Sequence, residues 1–171
     1  MINAGPLILR PWRFSDADAI VRHGNNRKIW LNLRDRFPHP YTDADARAWL
    51  ALRAADIGDP HGFAIEFNAE AIGGIGLEVF SDVHRMTAEI GYWLGESMWG
   101  RGFATLAVKA VTEYAFATFQ LNRLQAMVFE WNPASARVLE KAEYTLEGRL
   151  RNYIFKDNRI GDALMYARLR E

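Results

Sequence analysis

Apolar residues along the chain gather in short runs separated by turn residues, a pattern typical of β-strands. Seven runs are predicted to be strands: residues 7–12, 62–67, 72–80, 86–94, 124–129, 144–156 and 160–169. The first run contains Pro11, and proline cannot donate a ladder hydrogen bond, so we expect this run to be an edge strand. Residues 24–41 lack such a pattern and are predicted to form mainly loop.

Four further segments carry helix signals. Capping boxes at 15–18 and 42–45 predict two helix starts, and the second helix is expected to run to about residue 57. A third helix, over 103–120, is apolar on most of its surface, which favours packing on a sheet. Asn132 is the predicted N-cap of a fourth helix that ends near residue 142, because proline suits the first helical position.

These elements follow one another as strand, two helices, three strands, helix, strand, helix and two strands. The order favours a layered α/β (α+β) architecture, in which about four helices flank a mixed, mostly antiparallel sheet of six to seven strands. The length of 171 residues matches one domain, and no linker rich in glycine, serine and proline interrupts the chain. We therefore expect a single domain over residues 1–171.

Charge and composition exclude several classes of protein. Lysine and arginine together number 21, as do aspartate and glutamate, whereas a dedicated nucleic-acid binder carries a basic excess, so no nucleic-acid partner is expected. Neither a long apolar stretch nor a secretory pattern occurs, which predicts a cytoplasmic protein without membrane contact. The chain has no cysteine and its four histidines are scattered, so neither a thiol nucleophile nor a metal site is expected.

A glycine loop, Trp99-Gly100-Arg101-Gly102, stands directly before the third helix. Glycine lets the backbone turn sharply, and the free N–H groups of a helix N-terminus attract anions. Residues 97–112 contain cations but no carboxylate, so the loop is a candidate phosphate cradle. A purely structural entry to the helix explains the loop equally well. The sequence matches neither the P-loop nor the dinucleotide-binding fingerprint.

Five segments of the chain, in order, resemble the Gcn5-related N-acetyltransferase (GNAT) superfamily, and most of all its RimJ/RimL-type branch of ribosomal-protein N-acetyltransferases. The central segment runs from Ala88-Glu89-Ile90-Gly91 to Gly102-Phe103-Ala104-Thr105. The family motif there is Gln/Arg-x-x-Gly-x-Gly/Ala, and this chain departs from it by having Trp99 at the first position. The other similar segments lie near 9–17, 40–46, 129–141 and 147–166, so the resemblance covers nearly the whole chain.

The segment from Asn132 to Lys141 resembles the Asn-x-x-Ser…Val-Leu-x-Lys pattern of this branch. The branch usually continues with Gly-Phe, and this chain has Glu143-Tyr144 instead. Glycine at that point serves as the C-terminal cap of a helix. The glutamate therefore predicts that the helix ends in a different way.

The resemblance implies an acetyl-CoA-dependent N-acetyltransferase. The pyrophosphate of coenzyme A would lie on backbone amides of Arg101, Gly102, Phe103, Ala104 and Thr105. The pantetheine arm would follow the strand that ends at Trp93 and Leu94, in a gap where this strand parts from the strand over 124–129. A strand N–H near Trp93 or Leu94 would polarise the thioester carbonyl. Asn132 and Ser135 would contact the same arm.

An acceptor amine must lose a proton before it attacks, because its pKa is about 8 at a protein N-terminus and about 10.4 in lysine. Glu89 is the candidate base, since strand alternation places it on the face that carries Trp93. A solvated strand glutamate is the alternative. Without cysteine or a Gly-x-Ser-x-Gly elbow, direct attack in a ternary complex is favoured over an acyl-enzyme.

Ser135 is the candidate acid that protonates the departing thiolate, and Tyr144 and Tyr153 are weaker candidates for this role. Helix capping is the alternative explanation for Asn132, and a place in the first helical turn is the alternative for Ser135.

The acceptor site is expected beside the early helices and the loop from 25 to 41, with Trp30, His39 and Tyr41 as its walls. The arginines of this loop do not favour a basic protein tail, although a protein N-terminus and a small-molecule amine both remain open. The family implies a homodimer. Two other classes of function also stay open: a non-catalytic acyl-CoA-binding or sensing module on the same fold, and a nucleotide-binding protein.

Overall fold

The computed structural model describes residues 1–54 and 61–170, and over these residues the chain forms one eight-stranded sheet with the order β1-β2-β3-β4-β5-β6-β8-β7. The strands are β1 (Ile2–Ala4), β2 (Leu7–Arg10), β3 (Gly62–Phe67), β4 (Glu70–Val79), β5 (Thr87–Leu94), β6 (Arg123–Phe129), β7 (Thr145–Lys156) and β8 (Arg159–Leu169). The α-helices in the same residues are α1 (Ala17–Gly24), α2 (Arg27–Trp30), α3 (Asp43–Ala54), α4 (Phe103–Thr118) and α5 (Pro133–Lys141).

The predicted layered architecture and element order are confirmed, with one strand and one helix more than expected. β1 pairs antiparallel with β2, so the prediction that β2 forms the edge of the sheet was wrong. Three residues are too few to show a strand pattern in the sequence. The short helix α2 lies in the predicted loop, where Asn26 caps it by accepting from the N–H of Lys28 at 2.8 Å.

The two predicted capping boxes differ in outcome. Thr42 and Asp45 exchange backbone-to-side-chain bonds of 2.9 and 3.2 Å at the start of α3, as expected, while the predicted end of this helix near residue 57 lies outside the described residues. The capping box predicted at residues 15–18 was wrong. Asp16 instead accepts from the N–H of Arg13 at 2.8 Å and pairs with the buried Arg10, and a short 3-10 turn precedes α1.

The C-terminal end of α5 also corrects the sequence analysis. The N–H of Tyr144 donates to the carbonyl of Leu139 and the N–H of Glu143 to that of Glu140, both at 3.0 Å. These two bonds define the Schellman motif in which glycine is usually found. Glu143 adopts the left-handed φ of +68° that the motif requires, so the helix ends in the usual way without glycine.

Helices cover both faces of the sheet. On one face α4 buries Phe103, Ala107, Val108 and Val111 against the strands, which accounts for its largely apolar sequence. On the other face Ile20 of α1 and the buried residues of α3 form a second cluster, which also contains Tyr41. The two clusters lie on opposite faces of the sheet.

The sheet opens between β5 and β6, as the sequence analysis predicted. In the described part of the chain these parallel strands pair only at Thr87↔Arg123, Ala88↔Leu124 and Glu89↔Gln125. Beyond Glu89, β5 continues along β4, while β6 continues along β8 to the pair Phe129↔Ala163. The two strands therefore diverge, and Glu89 stands at the point of divergence.

Candidate active site

The register of β5 shows which backbone groups face the opening. The N–H of Phe80 donates to the carbonyl of Thr87 at 3.0 Å, and the N–H of Gly95 donates to that of Ile72 at 2.8 Å. In an antiparallel ladder alternate residues point the same way, so odd-numbered residues of β5 bond to β4. The backbones of Tyr92 and Leu94 therefore face the opening. The sequence analysis left open whether the N–H of Trp93 or that of Leu94 would polarise the thioester carbonyl. The register favours Leu94, because its N–H faces the opening.

The glycine loop between β5 and α4 is open to a ligand. Gly100 and Gly102 have φ values of +75° and +77°, and a Cβ built on either would meet no atom within 4 Å. Gly102 is the N-cap of α4, and neither a side-chain cap nor an acidic residue occupies the first turn. The first N–H groups of the helix therefore point outward from a backbone that only glycine adopts easily.

Trp99 links the loop to the end of β5. Its indole N–H donates to the carbonyl of Leu94 at 2.8 Å, and its side chain is otherwise half-exposed. The tryptophan that departs from the family motif thus serves as a tether between the two parts of the site. The sequence analysis did not predict this contact, because it depends on how the loop folds back.

Glu89 is largely shielded from solvent, with a side chain that is 15 % exposed. Burial raises the pKa of its carboxyl, Arg34 opposes this shift by pairing with it, and Glu78 across the β4–β5 ladder adds to it. The low exposure excludes the alternative of a freely solvated glutamate. The carboxylate at this position is therefore more basic than that of an exposed glutamate.

Ser135 and Asn132 lie at the start of α5. Asn132 Oδ1 accepts from the N–H of Ser135 at 3.2 Å, so the predicted N-cap is confirmed. Ser135 Oγ lies 2.8 Å from the hydroxyl oxygen of Tyr92, a residue that the sequence analysis missed. Burial raises the pKa of the Tyr92 hydroxyl, which keeps it protonated and able to donate.

The two weaker acid candidates have different environments. The hydroxyl oxygen of Tyr144 lies 2.7 Å from Thr112 Oγ1 inside the main core, where burial raises the pKa of Tyr144 to about 12. Its side chain is only 3 % exposed, so it belongs to the packing between α4 and the sheet. Tyr153 lies on β7 with 57 % of its surface exposed.

A groove of about 310 Å³ lies on the face of the sheet that carries Glu89. Its floor includes Met127 and Phe129, which share a face with Gln125, the strand partner of Glu89. The rest of the wall is formed by Leu33, Arg34, Asp35, Tyr153, Ile154, Phe155 and Lys156. The sequence analysis did not predict Lys156, because this residue lies far from the acceptor loop in the chain.

The three predicted acceptor walls are placed as follows. The Trp30 ring lies 3.9 Å from Lys156 Nζ, and its centroid is 5.7 Å from that of the His39 ring. Tyr41 is only 4 % exposed and packs against Phe37 in the second cluster. Trp30 and His39 are therefore beside the groove, whereas Tyr41 supports the loop from within and does not form a surface.

Within the described ranges, no group of three or more potential ligands is placed to hold a metal ion. None of the helices described here is both long and apolar enough to cross a membrane.

Known proteins are similar to this chain over almost its full length. The family profile described as the acetyltransferase (GNAT) domain matches residues 6–145. The "Uncharacterized N-acetyltransferase p20" of Bacillus licheniformis is 30% identical over 171 residues, which cover 96% of this chain and 93% of that protein. The spermidine N(1)-acetyltransferase of Escherichia coli (strain K12) is 26% identical, over 96% of this chain and 86% of that enzyme.

A solved structure agrees with these sequence matches. The ribosomal L7/L12 α-N-protein acetyltransferase RimL, in complex with coenzyme A, superimposes with a TM-score of 0.85 at 22% identity, covering 98% of this chain and 97% of that one. The chain belongs to the GNAT family of acetyltransferases. It is an N-acetyltransferase, and its family supports catalysis over a non-catalytic sensing module.

Proposed function

We propose that this enzyme transfers the acetyl group of acetyl-CoA directly to a primary amine while both substrates are bound. The observation that carries the proposal is the divergence of β5 from β6 with a shielded carboxylate, Glu89, at its apex. RimL, which has a similar fold, holds coenzyme A in its solved structure. Acetyl-CoA supplies a thioester carbonyl that an unprotonated amine can attack.

The residues around the opening fit coenzyme A. The glycine loop and the first turn of α4 offer backbone N–H groups in a stretch without carboxylates, which suits a pyrophosphate. We assign this role to the amides of Arg101, Gly102, Phe103, Ala104 and Thr105. The backbone of β5 at Tyr92 and Leu94 faces the opening, where it can pair with an extended pantetheine arm as an added strand would.

The other cofactor contacts in this proposal come from Trp93, Leu94, Asn132 and Ser135. The N–H of Leu94 is proposed to donate to the thioester oxygen, where negative charge develops during attack. Trp93 contributes its ring on the acceptor side, because strand alternation places it on the same face as Glu89. The side-chain oxygen of Asn132 is engaged as the helix cap, which leaves its amide nitrogen to donate to the arm.

Glu89 is proposed to take the proton of the acceptor amine. Its raised pKa makes it a stronger base than an exposed glutamate, and its place at the apex puts it beside the groove. Ser135 is proposed to return a proton to the departing sulfur. The hydroxyl of Tyr92 is a positioning group for Ser135, because the two oxygens lie 2.8 Å apart.

Replacement of Glu89 by glutamine tests the base. Glu89→Gln should lower kcat by about 100-fold to 10,000-fold with little change in the affinity for acetyl-CoA, because it removes proton transfer and leaves the cofactor contacts intact. In the wild type, kcat/KM should rise with pH as Glu89 loses its proton. Since its pKa is raised, this rise should lie above the ordinary value of 4.5. The measurement is a pH–rate profile with an amine panel.

The matched control is Glu113→Gln, which makes the same change on the exposed side of α4, where the carboxylate faces Arg168 at 3.4 Å. It should leave the profile unchanged. Unaltered turnover by Glu89→Gln would contradict the assignment. Tight acetyl-CoA binding without acetylation of any amine would instead favour the sensing module. ATP competing as well as coenzyme A in calorimetry would favour nucleotide binding.

Other features of the proposal stay predictions. We expect one domain over residues 1–171, a cytoplasmic location, and neither nucleic-acid nor membrane partners. The similar proteins act on different amines, as their names state: spermidine in one case and the N-terminus of a ribosomal protein in another. Both a small-molecule amine and a protein N-terminus are therefore candidate acceptors.

A further inference from the structure

The acceptor loop, residues 25–41, is anchored on one side of the opening in the sheet. The indole N–H of Trp131, which lies just beyond the end of β6, donates to the carbonyl of Leu31 at 3.2 Å. The carboxylate of Asp35 lies 2.7 Å from the ammonium nitrogen of Lys156 on β7, and the Lys156 side chain is only 2 % exposed. The middle of the loop is therefore fixed to the half of the sheet that contains β6, β8 and β7.

From this position Arg34 reaches the other half of the sheet. Its guanidinium pairs with Glu89 at the apex of the opening, and its Nη1 atom lies 3.3 Å from Glu78 Oε2 on β4. Glu78 and Glu89 are direct partners in the β4–β5 ladder, so one guanidinium contacts both carboxylates. Arg34 therefore bridges the opening and covers the carboxylate that is proposed to accept a proton.

The two partners of this ion pair differ in exposure. The side chain of Arg34 is 45 % exposed, whereas that of Glu89 is shielded. An ion pair with a solvated partner is worth little, about 1 kcal/mol at most, so Arg34 can leave at small cost. A shielded carboxylate needs another cation when its partner leaves, because an unpaired buried charge is destabilised. An acceptor amine is such a cation, since it is mostly protonated at neutral pH.

On the basis of the function proposed above, we propose that Arg34 is a positioning residue that closes the opening over Glu89 until the ammonium group of the acceptor takes its place. The guanidinium then stays on Glu78. The ammonium gives its proton to the Glu89 carboxylate, so that one N–H bond breaks and one O–H bond forms, and the neutral amine attacks the thioester. A neutral Glu89 no longer attracts Arg34, which returns only after the proton has passed to solvent.

The charged groups around Glu89 determine how Arg34 changes its pKa. Burial raises this pKa, the charge and the hydrogen bond of Arg34 lower it, Glu78 raises it, and Arg36 of the same loop lowers it. The partner of Glu89 on β6 is the uncharged Gln125. Removal of Arg34 should therefore raise the pKa of Glu89 further in the enzyme without acceptor. Once the acceptor has displaced Arg34, the same removal should have no effect on that pKa.

The experiment compares the wild type with Arg34→Met, which keeps much of the side-chain length without the charge, at saturating acetyl-CoA. The acceptor is the best substrate of a panel of alkylamines, spermidine and a short peptide with a free N-terminus. The pH profile of kcat/KM reports the enzyme before the acceptor binds, and that of kcat reports the complex. In Arg34→Met the acid limb of kcat/KM should move to higher pH, while the acid limb of kcat should stay in place.

The KM of the amine gives a second readout. Above the acid limb, Arg34→Met should lower this KM about threefold to tenfold, because the amine no longer competes with the guanidinium. The two kcat/KM profiles should therefore cross, with the variant faster at high pH and slower at low pH. Arg34→Lys retains a cation and should return both the limb and the KM toward their wild-type values.

Two results would overturn the inference. A loss of turnover at every pH with both limbs unmoved would show that Arg34 has only a structural role. Movement of the kcat limb together with the kcat/KM limb would show that Arg34 stays on Glu89 in the complex. In the Glu89→Gln background, Arg34→Met should no longer lower the KM, because the charge for which the two cations compete is gone.

Arg36→Met is the matched control. It removes the same charge two residues away, where the exposed guanidinium lies 3.3 Å from Glu78. It should leave the KM unchanged and move the kcat/KM limb less than Arg34→Met does. If amines are acetylated and Arg34→Met changes neither the KM nor the limb, this inference falls and the proposed function stands. If Glu89→Gln keeps full turnover, the proposed base falls and the inference with it.

Discussion

At the scale of single residues, neighbours decide what a side chain can do. Glu89 and Glu78 face each other across β4 and β5, and the difference between them is that Glu89 is shielded at the apex of the opening while the Glu78 side chain is half-exposed. Two tyrosines show the same contrast. Tyr92 reaches Ser135 at the site, whereas Tyr144 reaches Thr112 in the core.

The contact between Tyr92 and Ser135 leads to a prediction at the scale of single residues. Ser135→Ala should lower kcat by roughly tenfold to a hundredfold, because it removes the proposed proton donor. Tyr92→Phe should have a smaller effect of the same kind, with the KM for acetyl-CoA unchanged. The double variant should be no slower than Ser135→Ala, since Tyr92 acts through the serine hydroxyl. Steady-state kinetics of the four proteins gives this comparison.

Tyr144→Phe is the control for this pair. It loses a buried hydrogen bond to Thr112 and should cost about 1 kcal/mol of stability without a change in kcat. Fully additive effects of Tyr92→Phe and Ser135→Ala on kcat would show that Tyr92 works independently of the serine.

At the scale of elements, the backbone conformation at two helix ends, the start of α4 and the end of α5, can be compared. Gly102, the N-cap of α4, lies in the left-handed region and has no side chain that caps the first N–H groups of the helix. Glu143 follows α5 in the same region, with a φ of +68°, although it has a side chain that disfavours this conformation. The exposed carboxylate of Glu143 lies 3.1 Å from Arg168 and 3.7 Å from Lys109.

Replacing Glu143 by glycine should therefore stabilise the protein. Glu143→Gly removes the left-handed strain, worth about 1 kcal/mol, and loses ion pairs in which the carboxylate itself is exposed. Glu143→Ala loses the same ion pairs but keeps a Cβ in the strained region. We expect the glycine variant to be more stable than the alanine variant by about 1 kcal/mol in urea unfolding. Equal stability of the two variants would show that the backbone at this position is not strained.

At the scale of the whole molecule, the β7–β8 hairpin forms one end of the sheet and carries apolar residues on its surface. Phe155 and Ile160 face each other across the two strands and are 68 % and 62 % exposed, and Tyr153 is 57 % exposed. An exposed edge with apolar side chains favours association with another chain. This surface supports the homodimer that the family resemblance implies.

Light scattering tests this proposal. The wild type should have twice the mass of one chain, and Ile160→Lys should have the mass of a monomer, because a charge in an apolar contact is costly. Val83→Lys is the control, since Val83 is 76 % exposed on a turn at another part of the surface, and it should leave the dimer intact. A wild type that is monomeric at micromolar concentration would contradict the proposal.

Local patterns in the sequence were sufficient to predict the architecture. Apolar runs, the Asn132-Pro133 cap and the glycine loop depend on neighbours within a few residues, so they predict elements and their order directly. Glu89 and Ser135 lie on such motifs, and their roles in the site stay predictions. β1 and α2 were missed because three or four residues carry too little pattern.

Only the tertiary structure brought distant side chains together. Asp35 and Lys156 are 121 residues apart in the chain, and Tyr92 and Ser135 are 43 apart, yet each pair is in contact. No local pattern encodes such contacts, because they depend on strand register, on the divergence of β5 from β6 and on the path of the acceptor loop. The sequence by itself determined the fold and the class of chemistry, whereas packing decided which charged side chains face the groove.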